Sequence, residues 1–288
     1  YSKAGQPRWV SMVVNASDET SGGGRGSIAI LTDITLTKMH EVLQTRVLEG
    51  MVKELPLSEL MALVCLEVER IAPEVTASIL AVDGQGQLRP LAAPSLPFSV
   101  AQAIDGVFIG PSSGSCGTAA FFNEPVLVTD IASDPLWNDY RALVIPLGLK
   151  ACWSSPIRGH NGKPIGTFAF YYRENRGPDL LHQQLLEVCV HLCALAIERD
   201  VTHQRIHQLA FFDVLTGLPN RAMFHTSADL ALSDLRQRAL PGALLFVNLD
   251  RFKQINDTQG HGAGDALLCE IAKRLTQCLR ARDLIGRL

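Results

Sequence analysis

Long apolar runs are missing from this chain. Stretches such as Ala243–Val247 fall far short of the ~20 residues that span a bilayer. No basic region followed by an apolar stretch opens the N-terminus, so no membrane segment is expected. Cys-x-x-Cys pairs are missing too. The seven cysteines, at positions 65, 116, 152, 189, 193, 269 and 278, are odd in number and scattered, which excludes a disulfide framework and a zinc site and suits a reducing cytoplasm. Positive charge is not in excess: the net charge of −3 offers nucleic acid no attractive field. With 47% hydrophobic and 19% charged residues, the chain also lacks the polarity of a disordered one. Its 288 residues suffice for two domains or slightly more at ~100–200 residues each. The first residue is Tyr1 rather than Met, and the expectation is that sequence precedes it.

The pattern along the chain is that of an α+β multidomain protein. Trp9–Val14 and Ser27–Thr35 read as two strands around the turn Thr20–Gly26. The glycines of that turn lack the Lys-Ser/Thr and helix of a phosphate loop, so a hairpin is expected and no ligand. A helix follows over residues 36–56, with Leu36, Met39, Leu43 and Val47 on one side and a break at Pro56. Its stripe could face a core or pair with a twin in a dimer. A helix over Ser58–Ile71 carries Leu60, Leu63, Val64 and Val68 at helical spacing. Strands are expected at Ala77–Val82 and Leu88–Leu91 around Asp83-Gly-Gln-Gly, and at Ala151–Ile157 and Ile165–Tyr172 around His160-Asn-Gly-Lys, giving an antiparallel sheet bracketed by helices. A further helix over Leu180–Leu209 has a heptad frame of Leu185, Val188, Leu192, Leu195, Arg199, Thr202, Ile206 and Leu209, polar at its middle.

Three resemblances attach to these segments. The Asp33-Ile34-Thr35 ending of the second strand resembles the close of a PAS sensor domain over residues 1–35. Gly114-Ser-Cys-Gly-Thr-Ala119, Pro125–Ile131 with Asp134–Trp137, and Ala151–Ile157 make residues 57–198 resemble a GAF domain. Such domains bind varied small ligands or none, so the GAF ligand stays unknown. The helix at 199–210 then resembles a signalling helix that continues the last GAF helix. Some GAF proteins reduce free methionine sulfoxide with a cysteine in a sequence like that around Cys116. Cys116 and Cys152 are thus possible redox residues, although the third cysteine and the acidic cluster of those enzymes are absent. His203 and His207 lie one turn apart without a third ligand, and Trp137, Tyr140 and Trp153 are either pocket or core aromatics.

The segment 211–288 resembles the N-terminal part of a GGDEF (diguanylate cyclase) domain, through Asp213–Arg221 and Val247–Asp265. The resemblance implies an α/β domain whose homodimer, formed through linker helices, joins two GTP into cyclic di-GMP with Mg2+. It also implies that Gly286-Arg287-Leu288 stops just before the signature turn, leaving the piece inactive. Carried over residue by residue, Asn256 and Asp265 hydrogen-bond the guanine edge. Phe252 and Lys253 offer main-chain N–H groups to phosphate, and the metal falls to Asn248 and the carbonyl of Leu249. The family has Asp where this chain has Asn248, and a neutral amide weakens a magnesium site. Asp213 and Arg221 are expected to pair. Two alternatives stand beside a cyclase: a degenerate GTP-binding domain regulating a downstream EAL phosphodiesterase, and a GAF redox enzyme or sensor using Cys116.

Overall fold

The structure, a computed structural model, describes residues 9–17, 26–280 and 282–288. It divides into two compact units, Tyr1–Asp200 and Val201–Leu288.

In the first unit β1 (Val10–Ser17) and β2 (Gly26–Asp33) pair antiparallel, Val10 opposite Asp33. The glycine-rich turn between them lies outside the described residues, except Gly26. Helix α1 (Thr35–Val52) starts where Asp33 Oδ1 accepts the Thr35 N–H at 3.0 Å. Its Met39, Leu43 and Val47 are buried and join the core beside α2 (Leu57–Ile71). That stripe is therefore core-facing and unavailable as a dimer seam; the side chain of Leu36 lies outside the described set.

The main sheet is antiparallel throughout, in the order β4-β3-β7-β6-β5, with β3 Val75–Val82, β4 Leu88–Ala92, β5 Val126–Val128, β6 Ala151–Arg158 and β7 Pro164–Tyr172. Both predicted hairpins form. Asp83 Oδ1 accepts N–H groups of Gln85 and Gln87, each at 2.9 Å, and Asn161 Oδ1 accepts that of Lys163 at 2.9 Å. Central β7 is covered on both faces, so it reads as a nearly continuous apolar run. Phe168, Phe170 and Tyr172 meet α2 and α6 (Leu180–Phe211), whereas Ala169 and Tyr171 enter a second core beside α4 (Gly114–Phe122). At Gly166 a Cβ would stand 2.5 Å from the Leu80 carbonyl oxygen, so β7 can approach β3 only with glycine there. Between β4 and β6, where sequence periodicity is weak, α3 (Phe98–Ile104), α4, β5 and α5 (Arg141–Val144) form short elements.

Helix α6 is long and apolar enough to cross a bilayer. The contiguous runs hid this because single polar residues interrupt a helix that is apolar overall. Its Leu185, Leu186, Cys189, Leu192, Cys193, Ala196 and Ile197 are buried in the core of the first unit, which is how a core helix passes that test. The heptad frame therefore divides. Leu185 and Leu192 serve that core, while Leu195, Ile206 and Leu209 stand exposed.

The second unit contains α7 (Arg221–Gln237), α8 (Phe252–Gln259) and α9 (His261–Cys278). No strand precedes Asn248 among the described residues, although the resemblance implies an α/β domain. Leu244, Leu245, Phe246 and Val247 lie outside any helix or strand and are exposed. A strand needs a neighbour for its N–H and C=O groups, and no described segment of this unit supplies one. The pairing of Asp213 also departs from expectation. Arg287 Nη1 bonds Asp213 Oδ1 at 2.8 Å, whereas Arg221 opens α7 with an exposed side chain, behind the Asn220 cap that accepts the Met223 N–H at 3.1 Å. Burial would raise the Asp213 carboxyl, but hydrogen bonds from Thr216 and Arg287 outweigh it and hold the group below its ordinary range. A depressed carboxyl stabilises the fold above its unfolded value of about 3.9, and this contribution is lost as pH falls through the folded value. Urea unfolding from pH 6 down to 2, followed in the second unit, is expected to show this loss below about pH 4. Asp213→Asn will remove that part of the slope, and an unchanged slope would disprove the pairing's role.

Candidate functional site

Two places gather chemistry, one in each unit. In the second, Asn256 on α8 faces Gly264 on α9, with Asp265 next along the chain and exposed. A Cβ at Gly264 would run into Asn256 Oδ1 and stand 3.2 Å from Phe252 Cζ. With glycine at 264 the Asn256 amide packs directly on the α9 backbone. Asn256 Oδ1 is buried and has no hydrogen-bond partner among the described residues. An orphaned buried acceptor is costly and marks a place where a donor from outside can be received. Arg251, at φ 58°, precedes α8 without a side-chain cap. The first-turn N–H groups of Phe252 and Lys253 are thereby open to an anion.

The metal side of the expected site is not assembled. Asn248 is exposed, and its Oδ1 accepts the N–H of Leu249 at 2.9 Å. A neutral amide oxygen already engaged by its own chain, beside one main-chain carbonyl, does not make the carboxylate-rich oxygen set that a magnesium ion takes. The residues present do not fit the ion, and no chemistry is routed through it.

In the first unit Cys116, in the first turn of α4, faces Cys152 on β6 from inside the sheet's second core. Sequence reasoning flagged these two thiols but missed their surroundings. Four buried hydroxyls, of Ser78, Thr118, Ser154 and Thr167, have no fixed hydrogen-bond partner among the described residues; those of Ser154 and Thr167 face the Cys116 sulfur, as does Tyr171. Hydrogen bonding from Cys152 lowers the Cys116 thiol most, against burial, and Ser154, Thr167 and Tyr171 lower it further, to a net position below an ordinary thiol. Burial, reinforced by Cys116, pushes Cys152 well up. A narrow apolar cavity reaches Cys116 past Leu88, Val100, Ile104, Trp137 and Tyr140. Trp137 donates to Ser115 Oγ at 3.0 Å, whereas Trp153 belongs to the opposite face, its ring 6.0 Å from that of Phe170. An alternating strand places such hydroxyls on one face, but without knowing which helix covers that face the cluster could not be seen.

Elsewhere, buried His182 lies between Glu74 (3.0 Å from Nε2) and Asp179 (3.3 Å from Nδ1). Nε2 must donate to the carboxylate, and Nδ1 accepts the Asp179 N–H at 3.4 Å, so both nitrogens are satisfied and tie the start of α6 to the start of β3. His203 and His207 are exposed, the latter ring 4.8 Å from Phe211.

A model of the GAF domain family matches residues 54–198, and one of the diguanylate cyclase GGDEF domain matches residues 210–288. Among curated proteins, the methyl sulfide methyltransferase-associated sensor of Methanosarcina acetivorans is 35% identical over 173 residues, 59% of this chain and 17% of that protein. The diguanylate cyclase TpbB of Pseudomonas aeruginosa is 49% identical over 90 residues, 31% of this chain and 20% of that protein. The diguanylate cyclase DgcP of Escherichia coli is 30% identical over 159 residues, 53% of this chain and 46% of that protein. The chain thus spans a fifth or less of the first two and under half of the third.

Proposed function

The chain belongs to the GAF domain family, whose model matches just over half of its 288 residues, and from that premise, with the GGDEF match that follows, we propose that it is the sensory and regulatory part of a cyclic di-GMP signalling protein. In this reading the GAF unit receives a signal, in keeping with the relative named a sensor, and residues 1–35, with the β1–β2 pair, are the end of a preceding PAS domain. The second unit holds the guanine nucleotide of GTP. The observation that carries this is the orphaned Asn256 oxygen, packed on Gly264 beside Asp265. The amide accepts one guanine proton, Asp265 accepts others, and the open first turn of α8 receives phosphate.

Binding without turnover is the reading that Asn248 favours, because the carboxylate needed for magnesium is replaced by an amide turned onto Leu249. That same observation favours a second reading for a longer protein, in which this unit regulates a phosphodiesterase of the EAL type. A homodimer is supported by Leu195, Ile206 and Leu209, exposed along one helix. A cytoplasmic setting is supported by seven cysteines that are all free thiols.

The test is equilibrium binding of GTP to the purified chain, with product analysis and light scattering on the same sample. GTP is expected to bind a dimer, to yield no cyclic di-GMP, and to bind at least ~10-fold more weakly after Asn256→Ala or Asp265→Ala. Product from the unmodified chain would overturn the silent-site reading. Equal affinity in both variants would overturn the guanine site, and a monomer would overturn the dimer.

A further inference from the structure

Apart from the nucleotide residues, the second unit holds a hollow of about 500 Å³ between the loop 216–219, helix α9 and Ile285. That volume suits a small organic molecule. Hydrogen bonds hold its walls. In the loop, Asp213 Oδ1 accepts the Thr216 N–H at 2.9 Å and its hydroxyl at 2.6 Å. Gly217, at φ 68°, turns the chain so that the Asp213 N–H reaches the Leu218 carbonyl at 2.8 Å. The Arg287 N–H donates to the Pro219 carbonyl at 2.8 Å, and its guanidinium holds Asp213, which ties the segment carrying Ile285 to the loop. On α9, the Cys269 thiol reaches the Leu215 carbonyl at 3.2 Å. The hollow is thus preformed, and a ligand would meet walls already in place.

Its lining has two parts. Leu218, Pro219 and Ile285 are half-buried and Ala272 is buried, so the floor is apolar and still partly in water. Lys273 and Gln277, one helical turn apart on α9, supply the polar part. Among the described residues Lys273 is the only charged side chain of the lining. Glu270, the nearest carboxylate along its helix, is held by Arg274 at 2.7 Å, and neither Lys273 nor Gln277 makes a side-chain hydrogen bond or ion pair among the described residues. Thr216 and Thr276 give their hydroxyl protons to Asp213 and to the Ala272 carbonyl, so the free donors are Lys273 and Gln277. One cation and one amide match a carboxylate, whereas a phosphate dianion would find too few donors.

We propose that this hollow binds a small carboxylic acid, its apolar body on Leu218, Pro219, Ala272 and Ile285 and its carboxylate against Lys273 and Gln277. None of these residues belongs to the nucleotide reading of the same unit, and the proposal does not depend on it. A bound acid adds contacts to the loop, α9 and Ile285 at once, so it stabilises the second unit.

The test follows the methyl resonances of Leu218, Ala272 and Ile285 in the intact chain during titration with 2-naphthoate. Its uncharged counterpart 2-naphthylmethanol and inorganic phosphate, an anion without an apolar body, are titrated in parallel. Naphthoate is expected to shift these methyls saturably and to bind about 3-fold or more tightly than the alcohol, in the range of one exposed ion pair. That preference will shrink as salt is raised from about 0.02 to about 0.5 M. Lys273→Gln will remove it while the alcohol binds as before; Lys273 is exposed, so the substitution leaves the fold intact. No saturable shift at these methyls, equal binding of acid and alcohol, the same shifts with phosphate alone, or a preference that survives Lys273→Gln would each overturn the proposal. GTP binding is scored on the Asn256 and Asp265 variants, so the two readings fail separately.

Discussion

Replacing Phe170 by alanine will destabilise the first unit by about 3–5 kcal/mol. The ring is fully buried at the centre of β7, opposite Ala77 of β3 and Trp153 of β6, on the face that receives α2 and α6. Its neighbours stand in edge-to-face geometry: Phe168 at 5.5 Å and 87°, Trp153 at 6.0 Å and 68°, His182 at 6.2 Å and 76°. Losing the ring removes the transfer energy of its buried surface and leaves a cavity that neighbours on two strands and two helices cannot all close. Aromatic pairs of this geometry add about 0.5–1.5 kcal/mol beyond area. At about 2–4 °C per kcal/mol for a unit of this size, the midpoint of thermal unfolding will fall by roughly 10 °C. Phe121, 49% exposed, is the control, and its alanine variant will change stability by less than about 0.5 kcal/mol. A Phe170→Ala loss below about 1 kcal/mol would mean that β7 is not the centre of this core.

Why this sheet was legible in the sequence is plain from β7 itself. The run Pro164–Tyr172 is bounded by Asn161-Gly162, whose turn chemistry fixes the hairpin and so its register with β6. The pairs β3–β4 and β6–β7 are local, and local pairings leave marks in the sequence. The pairing of β3 with β7, which joins residues as far apart as Val75 and Tyr172, leaves none. Helix α4 was equally hidden: Gly114-Ser-Cys-Gly-Thr-Ala119 has no apolar periodicity because the segment is buried nearly all round. The run before Asn248 shows the opposite failure. Leu244–Val247 has strand composition and no strand, since composition states a preference and pairing needs a partner.

The site residues divide in the same way. Asn256, Gly264 and Asp265 lie within ten residues, and the α8–α9 turn that brings the first two together is itself local, so their motif could be read directly. Arg287 reaches Asp213 across 74 positions, and the nearer Arg221 was the natural but mistaken choice. Cys116 and Cys152 were visible as residue types, yet their contact depends on α4 lying over β6. What decides legibility is sequence separation: contacts inside one hairpin or one helical turn are written in spacing, and those closed by the sheet are not.

Gly264→Ala will weaken GTP binding by at least ~10-fold and also destabilise the second unit, against the usual sign of a glycine-to-alanine change in a helix. Alanine at an unobstructed helical position would gain about 1 kcal/mol. Here the new methyl would run into Asn256 Oδ1 and crowd Phe252 Cζ, side-chain atoms of the facing helix α8 that must shift together to make room. Overpacking of that kind costs about 1–3 kcal/mol, so the net effect is a loss of up to about 2 kcal/mol with α8 pushed off α9. The double variant Gly264→Ala with Asn256→Ala separates steric from chemical causes. Removing the amide opens room for the methyl and removes a buried oxygen that has no partner among the described residues, so stability will return to the unmodified level or exceed it. Binding will not return, because the acceptor for the guanine proton is gone. Recovery of both together would show that Asn256 merely fills space between the helices, and recovery of neither would show that the two helices do not meet at Gly264.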